Sequence, residues 1–123
     1  MEVLRERAEA FLENARRLLA DRSFDLAAFS LEQFCQLTLK YKLLLKTGTY
    51  PRTHSLIRLL RELGRLSKPE EAEKFIERNV LYLTKIEDAY IGARYLPRRY
   101  EEAEVRQLLR FVEEEFAGFV REL

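Results

Sequence analysis

The sequence predicts an all-α fold, an up-and-down bundle of four long helices with a shorter third one. Two observations carry this. Apolar residues recur at three- and four-residue steps along most of the chain, and no stretch reads as a strand. Helix breakers cluster between those stretches, at Asp21-Arg22-Ser23, at Gly48 and Pro51, at Pro69, and from Gly92 to Pro97.

The first helix is expected from Glu2 to Ala20. Leu4, Ala8, Phe11, Leu12, Ala15, Leu18 and Leu19 make its apolar stripe. The short link Asp21-Arg22-Ser23 forces an antiparallel hairpin, with Ser23 as the expected N-cap of the next helix. That second helix, Phe24 to Lys46, should be the centre of the molecule. One stripe is Ala27, Leu31, Phe34, Tyr41 and Leu45, and a second is Ala28, Cys35 and Leu39. Between Leu26 and Leu45 the only charges are Glu32, Lys40 and Lys42. A helix apolar on so much of its circumference is buried, or packs a spare face on a partner. Those charges, which would sit mid-bilayer, exclude a membrane span.

Gly48 suits a left-handed helix end, and Pro51 blocks continuation. The third helix is expected from Thr53–Ser55 to about Gly64, with Leu56, Leu59, Leu60 and Leu63 inward. Ser67-Lys68-Pro69-Glu70-Glu71 reads as the start of a fourth. It should run unbroken to about Ala93, with Ala72, Phe75, Ile76, Leu83, Ile86 and Tyr90 as its stripe and Leu81, Tyr82 and Ala89 widening it. A fifth follows from about Glu101, carrying Val105, Leu108, Leu109, Val112, Phe116, Phe119 and Val120 inward.

At 123 residues the chain suits one domain, residues 1–123. Hydrophobic residues at 47% and charged residues at 35% argue against disorder. The net charge of +1 gives no global pull toward nucleic acid, so any basic site is local. Cys35 is alone, which excludes an intrachain disulfide and a cysteine metal cluster. No targeting segment is read at the start, and a cytoplasmic protein is expected. Arg over Lys, Glu over Asp, and scarce Met, Cys and Asn fit a thermophile with surface ion-pair networks.

Chemistry has few candidates. One His and one Cys argue against zinc, and no glycine-rich phosphate loop or di-iron spacing is present. No catalytic residue and no metal ligand is assigned. His54, which could titrate near neutral pH, either caps the third helix or lines a site with Arg58 and Arg94. Arg58, Arg61 and Arg65 share a face that is either solvated or contacts phosphate. In Arg94-Tyr95-Leu96-Pro97-Arg98-Arg99-Tyr100, arginines and tyrosines are interleaved, a pattern that can hold a phosphate and stack a base. The alternative is a packed turn whose arginines pair with Glu101, Glu102 or Glu104.

Three motifs, in this order, resemble the HEPN domain, the higher eukaryote and prokaryote nucleotide-binding family. They are Asp25-Leu-Ala-Ala-Phe-Ser-Leu-Glu-Gln-Phe-Cys-Gln-Leu-Thr-Leu-Lys40, Pro51-Arg-Thr-His54-Ser-Leu56 and Tyr90-Ile-Gly-Ala-Arg94-Tyr95-Leu-Pro97. The resemblance spans nearly the whole chain. It implies a five-helix bundle that often dimerises and often stands beside a minimal nucleotidyltransferase, some such pairs being toxin and antitoxin. It carries His54, Arg94, Tyr95 and Pro97 over as motif positions. Arg58, Arg98 and Arg99 join them on charge and spacing. Many members are metal-independent ribonucleases with an Arg four to six residues before a His. Here no arginine stands at that spacing before His54. The expectation is therefore a binding module, a homodimer engaging a nucleotidyltransferase and a nucleotide such as ATP, or RNA, with no resident cofactor. A ribonuclease with a composite site using His54 and a purely structural dimerisation domain are the alternatives.

Overall fold

The computed structural model describes residues 2–92 and 99–123. The described residues are mostly helical and include no strand. Helix α1, Glu2–Ala20, turns back into α2, Phe24–Thr47. Arg22 takes the left-handed conformation in the turn, with φ of 63°, at a cost of roughly 1–2 kcal/mol. The amide of Ser23 closes the turn on the Leu18 carbonyl at 2.8 Å. The Tyr41 hydroxyl donates to Glu2 Oε1 at 3.1 Å, so the end of α2 lies beside the start of α1, as so short a link requires. Ser23 stands in the N-cap position, but its hydroxyl makes no cap hydrogen bond, contrary to expectation.

The centre of the molecule is α2, which meets α1, α3, α5, α6 and α7. Ala27, Ala28, Leu31, Phe34, Cys35, Leu39 and Leu43 are buried. Its apolar faces are thus largely filled within the chain, with Leu26 and Leu45 left exposed toward its two ends. Leu45, expected on the core stripe, is 51% exposed, on the wall of a groove it shares with Arg5 and Arg121. Gly48 ends the helix at φ of 82°, its amide donating to the Leu44 carbonyl.

Helix α3 spans Leu56–Arg65. Ser55 caps it, Oγ accepting from the Arg58 amide at 3.1 Å. Glu87 reaches over from α5 and accepts from the Ile57 amide at 3.1 Å and the Ser55 hydroxyl at 3.3 Å. This carboxylate at the positive end of α3 fixes the third helix to the fifth.

The fourth helix is two. Helix α4, Pro69–Arg78, and α5, Val80–Gly92, meet at Asn79. Asn79 is buried and its Nδ2 donates to the Phe75 carbonyl at 3.0 Å, sharing that acceptor with its own backbone amide. An asparagine side chain competing for backbone acceptors interrupts a helix in this way. Leu83, Ile86 and Ala89 go inward, while Leu81 is 76% exposed and Tyr82 sits at the edge, so neither widens the core as expected.

Helix α6, Glu102–Phe111, passes through a π turn at Val112–Phe116 into α7, Ala117–Glu122. The inward residues Val112, Phe116 and Val120 step by four, more than the 3.6 residues of an α-helical turn. The wider π turn absorbs that drift and keeps all three buried. Phe75 stacks on Phe119 at 4.2 Å and Tyr82 on Phe111 at 4.8 Å, tying α4 and α5 to this last helical run.

Candidate functional site

His54 lies just before α3, exposed, with its ring on that of Tyr90 of α5. The centroids are 3.9 Å apart and the planes 24° apart. It does not cap the helix, since Ser55 does. Arg58 is exposed one turn along, and its guanidinium forms no salt bridge with a described residue. Arg61 donates to Glu73 at 2.8 Å and Arg65 to Glu62 at 3.0 Å. Those two belong to a solvated face.

Arg99 is exposed on the wall of a cavity of about 410 Å³, shared with Arg22, Ser23, Phe24, Asp25, Leu26, Tyr100 and Glu101. The first turn of α2 forms one side of it. Tyr100 is buried, and its amide donates to Asp25 Oδ1 at 2.7 Å, pinning the chain before α6 to the start of α2. The Arg22 guanidinium lies over the Phe24 ring at 5.2 Å and also donates to Glu102 at 3.0 Å.

The acidic first turn of α6 is largely engaged by cations. Glu102 receives Arg106 and Arg22, whose hydrogen bonds hold its carboxyl below the usual range. Glu104 pairs with Lys85 at 3.4 Å and accepts from the Glu101 amide. The structure therefore sets Arg99 with Arg22 at the start of α2 and His54 with Tyr90 near the end of α5. Arg58 does not line the cavity. Arg94, Tyr95 and Arg98 lie outside the described residues.

One polar group was missed in the sequence. Glu32 is fully buried in α2. Gln33 Nε2 donates to its Oε1 at 2.7 Å and Gln36 Nε2 to its Oε2 at 2.6 Å. Lys40 Nζ then donates to Gln36 Oε1 at 2.7 Å and lies over the Tyr50 ring. Burial pushes the Glu32 carboxyl up to about 7, against the opposing pull of the two amides and Lys40. Glu32, Gln36 and Lys40 follow one another at four-residue steps. Beside the buried Ala28, Cys35 and Leu39, that spacing was the available signal.

The Cys35 thiol is pushed up by burial and by Glu32, so it is no ready nucleophile. Among the described residues, no group of three or more His, Cys, Asp or Glu is placed to hold a metal. No helix of the described residues is long and apolar enough to cross a membrane.

The family profile described as the HEPN domain matches residues 1–123. Neither the curated proteins nor the solved structures include a match. The match runs over the whole sequence, including the first turn of α2, the His54 segment and the stretch before α6, and the chain belongs to the HEPN domain family.

Proposed function

We propose that residues 1–123 form one HEPN-type binding module that takes a nucleotide phosphate or RNA at the cavity beside the start of α2. The observation that carries this is the placing of Arg99 and Arg22 on one cavity with Phe24. Guanidinium forks suit phosphate oxygens, and an aromatic face suits a base. The adjoining first turn of α2 has no side-chain cap, and helix N-termini favour anions. Asp25 opposes an anion, and its engagement by the Tyr100 amide moderates that. Arg94, Tyr95 and Arg98 belong to the same reading through their place in the sequence, with His54 and Arg58 at the neighbouring helix start. Family membership supports a nucleotide-binding, RNA-related role.

In this reading the protein is a cytoplasmic homodimer that partners a minimal nucleotidyltransferase, as in toxin–antitoxin pairs. ATP or another nucleotide is a ligand and no cofactor is resident. The solvent-exposed Val80 and Leu81, adjacent at the start of α5, give it apolar surface for protein contacts. The test is titration of the wild type and of Arg98→Ala/Arg99→Ala with ATP and with a short RNA at low salt. The proposal expects binding by the wild type that weakens with salt and is lost in the double variant. Equal binding by both proteins, or none by the wild type, removes the site.

A further inference from the structure

We propose that the groove between α1, α2 and α7 binds a small monocarboxylate with an unbranched apolar tail, a ligand of different chemistry from that of the cavity beside the start of α2. The groove encloses about 280 Å³. That is near the lower bound for small-molecule sites, about 300 Å³. Phe34, Tyr41 and Leu45 of α2, with Ala117 and Val120 of α7, give it a mostly apolar lining. Leu45 is half exposed on its wall, so a bound alkyl chain takes apolar surface out of water.

Three cations line the same groove, and they are not equivalent. Arg5 is matched by Glu2 at 2.9 Å, and Glu2 also accepts from the Tyr41 hydroxyl. Lys42 and Arg121 pair with no acid among the described residues. Lys42 Nζ donates at 3.4 Å to the Arg121 carbonyl, a long contact that brings the two residues together. It occupies one of the three ammonium donors. Burial and the nearby Lys46 press the Lys42 amine below its ordinary value. A carboxylate between Lys42 and Arg121 supplies the missing anion through charge-assisted hydrogen bonds.

Glu9 limits the ligand to one negative charge. It is the acid among the groove's described residues. Tyr41 meets Glu2, and Glu9 lies seven residues, roughly 10 Å, further along α1, toward the Phe34 end of the groove. Lys42 and Arg121 stand at the Tyr41 end. An anion is therefore favoured at one end only, and a second anionic group at the tip of the tail meets Glu9. This selects a monocarboxylate over a dicarboxylate or a nucleotide polyphosphate.

The experiment is a backbone amide NMR titration of the full-length protein with octanoate, beside 1-octanol, octanedioate and ATP. Octanoate gives saturable shifts at Thr38, Tyr41, Leu45 and Val120, and binds several-fold more tightly than octanol or octanedioate. ATP leaves those amides in place. Lys42→Met/Arg121→Gln, which changes only the groove's cations, loses most of the octanoate affinity and keeps the octanol affinity. Ala117→Leu, which narrows the groove, weakens octanoate several-fold. Circular dichroism checks the fold of each variant, and the charge variant decides the matter if Ala117→Leu does not fold. No saturable shift with octanoate at these amides overturns the proposal. So does equal binding of octanoate by the wild type and the charge variant, equal affinity for octanol or octanedioate, or movement of the same amides by ATP. Shifts of these amides on dilution of the free protein place a second copy in the groove and also overturn it.

Discussion

The ring of His54 lies 3.9 Å from that of Tyr90, joining the segment before α3 to the last turns of α5. Ser55 and Ile57 are held to the same helix by Glu87, so the stack and the carboxylate clamp one helix start together. We expect His54→Ala and Tyr90→Ala each to destabilise the fold modestly. A double-mutant cycle by urea unfolding should give a coupling of about 0.5–1.5 kcal/mol, the range for paired rings. A coupling of zero would show that the exposed stack adds nothing in solution.

Helices α3 and α4 pack tightly at Gly64. A Cβ placed there would overlap the Cβ of Ala72. Gly64→Ala should therefore cost about 1–3 kcal/mol, the penalty of overpacking, despite alanine's better helix propensity. Adding Ala72→Gly removes the overlapping atom and should recover part of the loss beyond what additivity allows. Chemical denaturation of the two single variants and the double variant decides it.

The Glu32 carboxyl gives stability a pH dependence of definite sign. Its folded value of about 7 lies above the ordinary 4.5, so the folded state holds the proton more tightly. The associated stability is complete below pH 4.5 and is lost as pH rises toward 7, reaching a floor above it. The full difference corresponds to about 3 kcal/mol at 1.36 kcal/mol per unit. Glu32→Gln should remove this fall, so that its advantage over the wild type grows from pH 5 to pH 8. Thermal or urea unfolding at the two pH values measures it. A constant offset between the proteins would contradict the assignment.

The purified protein alone should not cleave RNA specifically. No arginine stands four to six residues before His54, and the ring is stacked on Tyr90 with Arg58 on the far side in sequence. A gel assay with labelled RNA in chelator is the check. Cleavage abolished by His54→Ala, with the fold intact by circular dichroism, would establish the ribonuclease reading instead.

Much of the architecture was legible because it rests on local patterns. The bounds of α1 and most of α2 follow from apolar periodicity and from the breakers after each. The break at Asn79 was not legible, because a lone asparagine within a helical pattern interrupts it only when its amide finds a backbone acceptor. The exposure of Leu81 was within reach, since a residue two before the inward Leu83 falls on the opposite side of a helix. The π turn at Val112–Phe116 answers a slow drift in stripe position that counting apolar residues does not weigh. At the site, Arg99 was readable from charge and Arg61 and Arg65 as a solvated face. The contribution of Arg22 and Phe24 was not, since they lie far from Arg99 in sequence and are brought to it by the Tyr100–Asp25 and Arg22–Glu102 bonds. Glu32 was passed over as one charge among three in an apolar helix. Only packing shows that it is the buried one.

The most direct measurement of the central claim is a backbone amide NMR titration of the wild-type protein with ATP and with a short RNA at low salt. The account predicts that perturbations concentrate at Arg22–Leu26 and Arg99–Glu101, with a second set at His54 and Tyr90, and that both recede as salt is raised. Perturbations centred on Val80–Tyr82 or on the Leu45 end of α2, or none with either ligand, would contradict it.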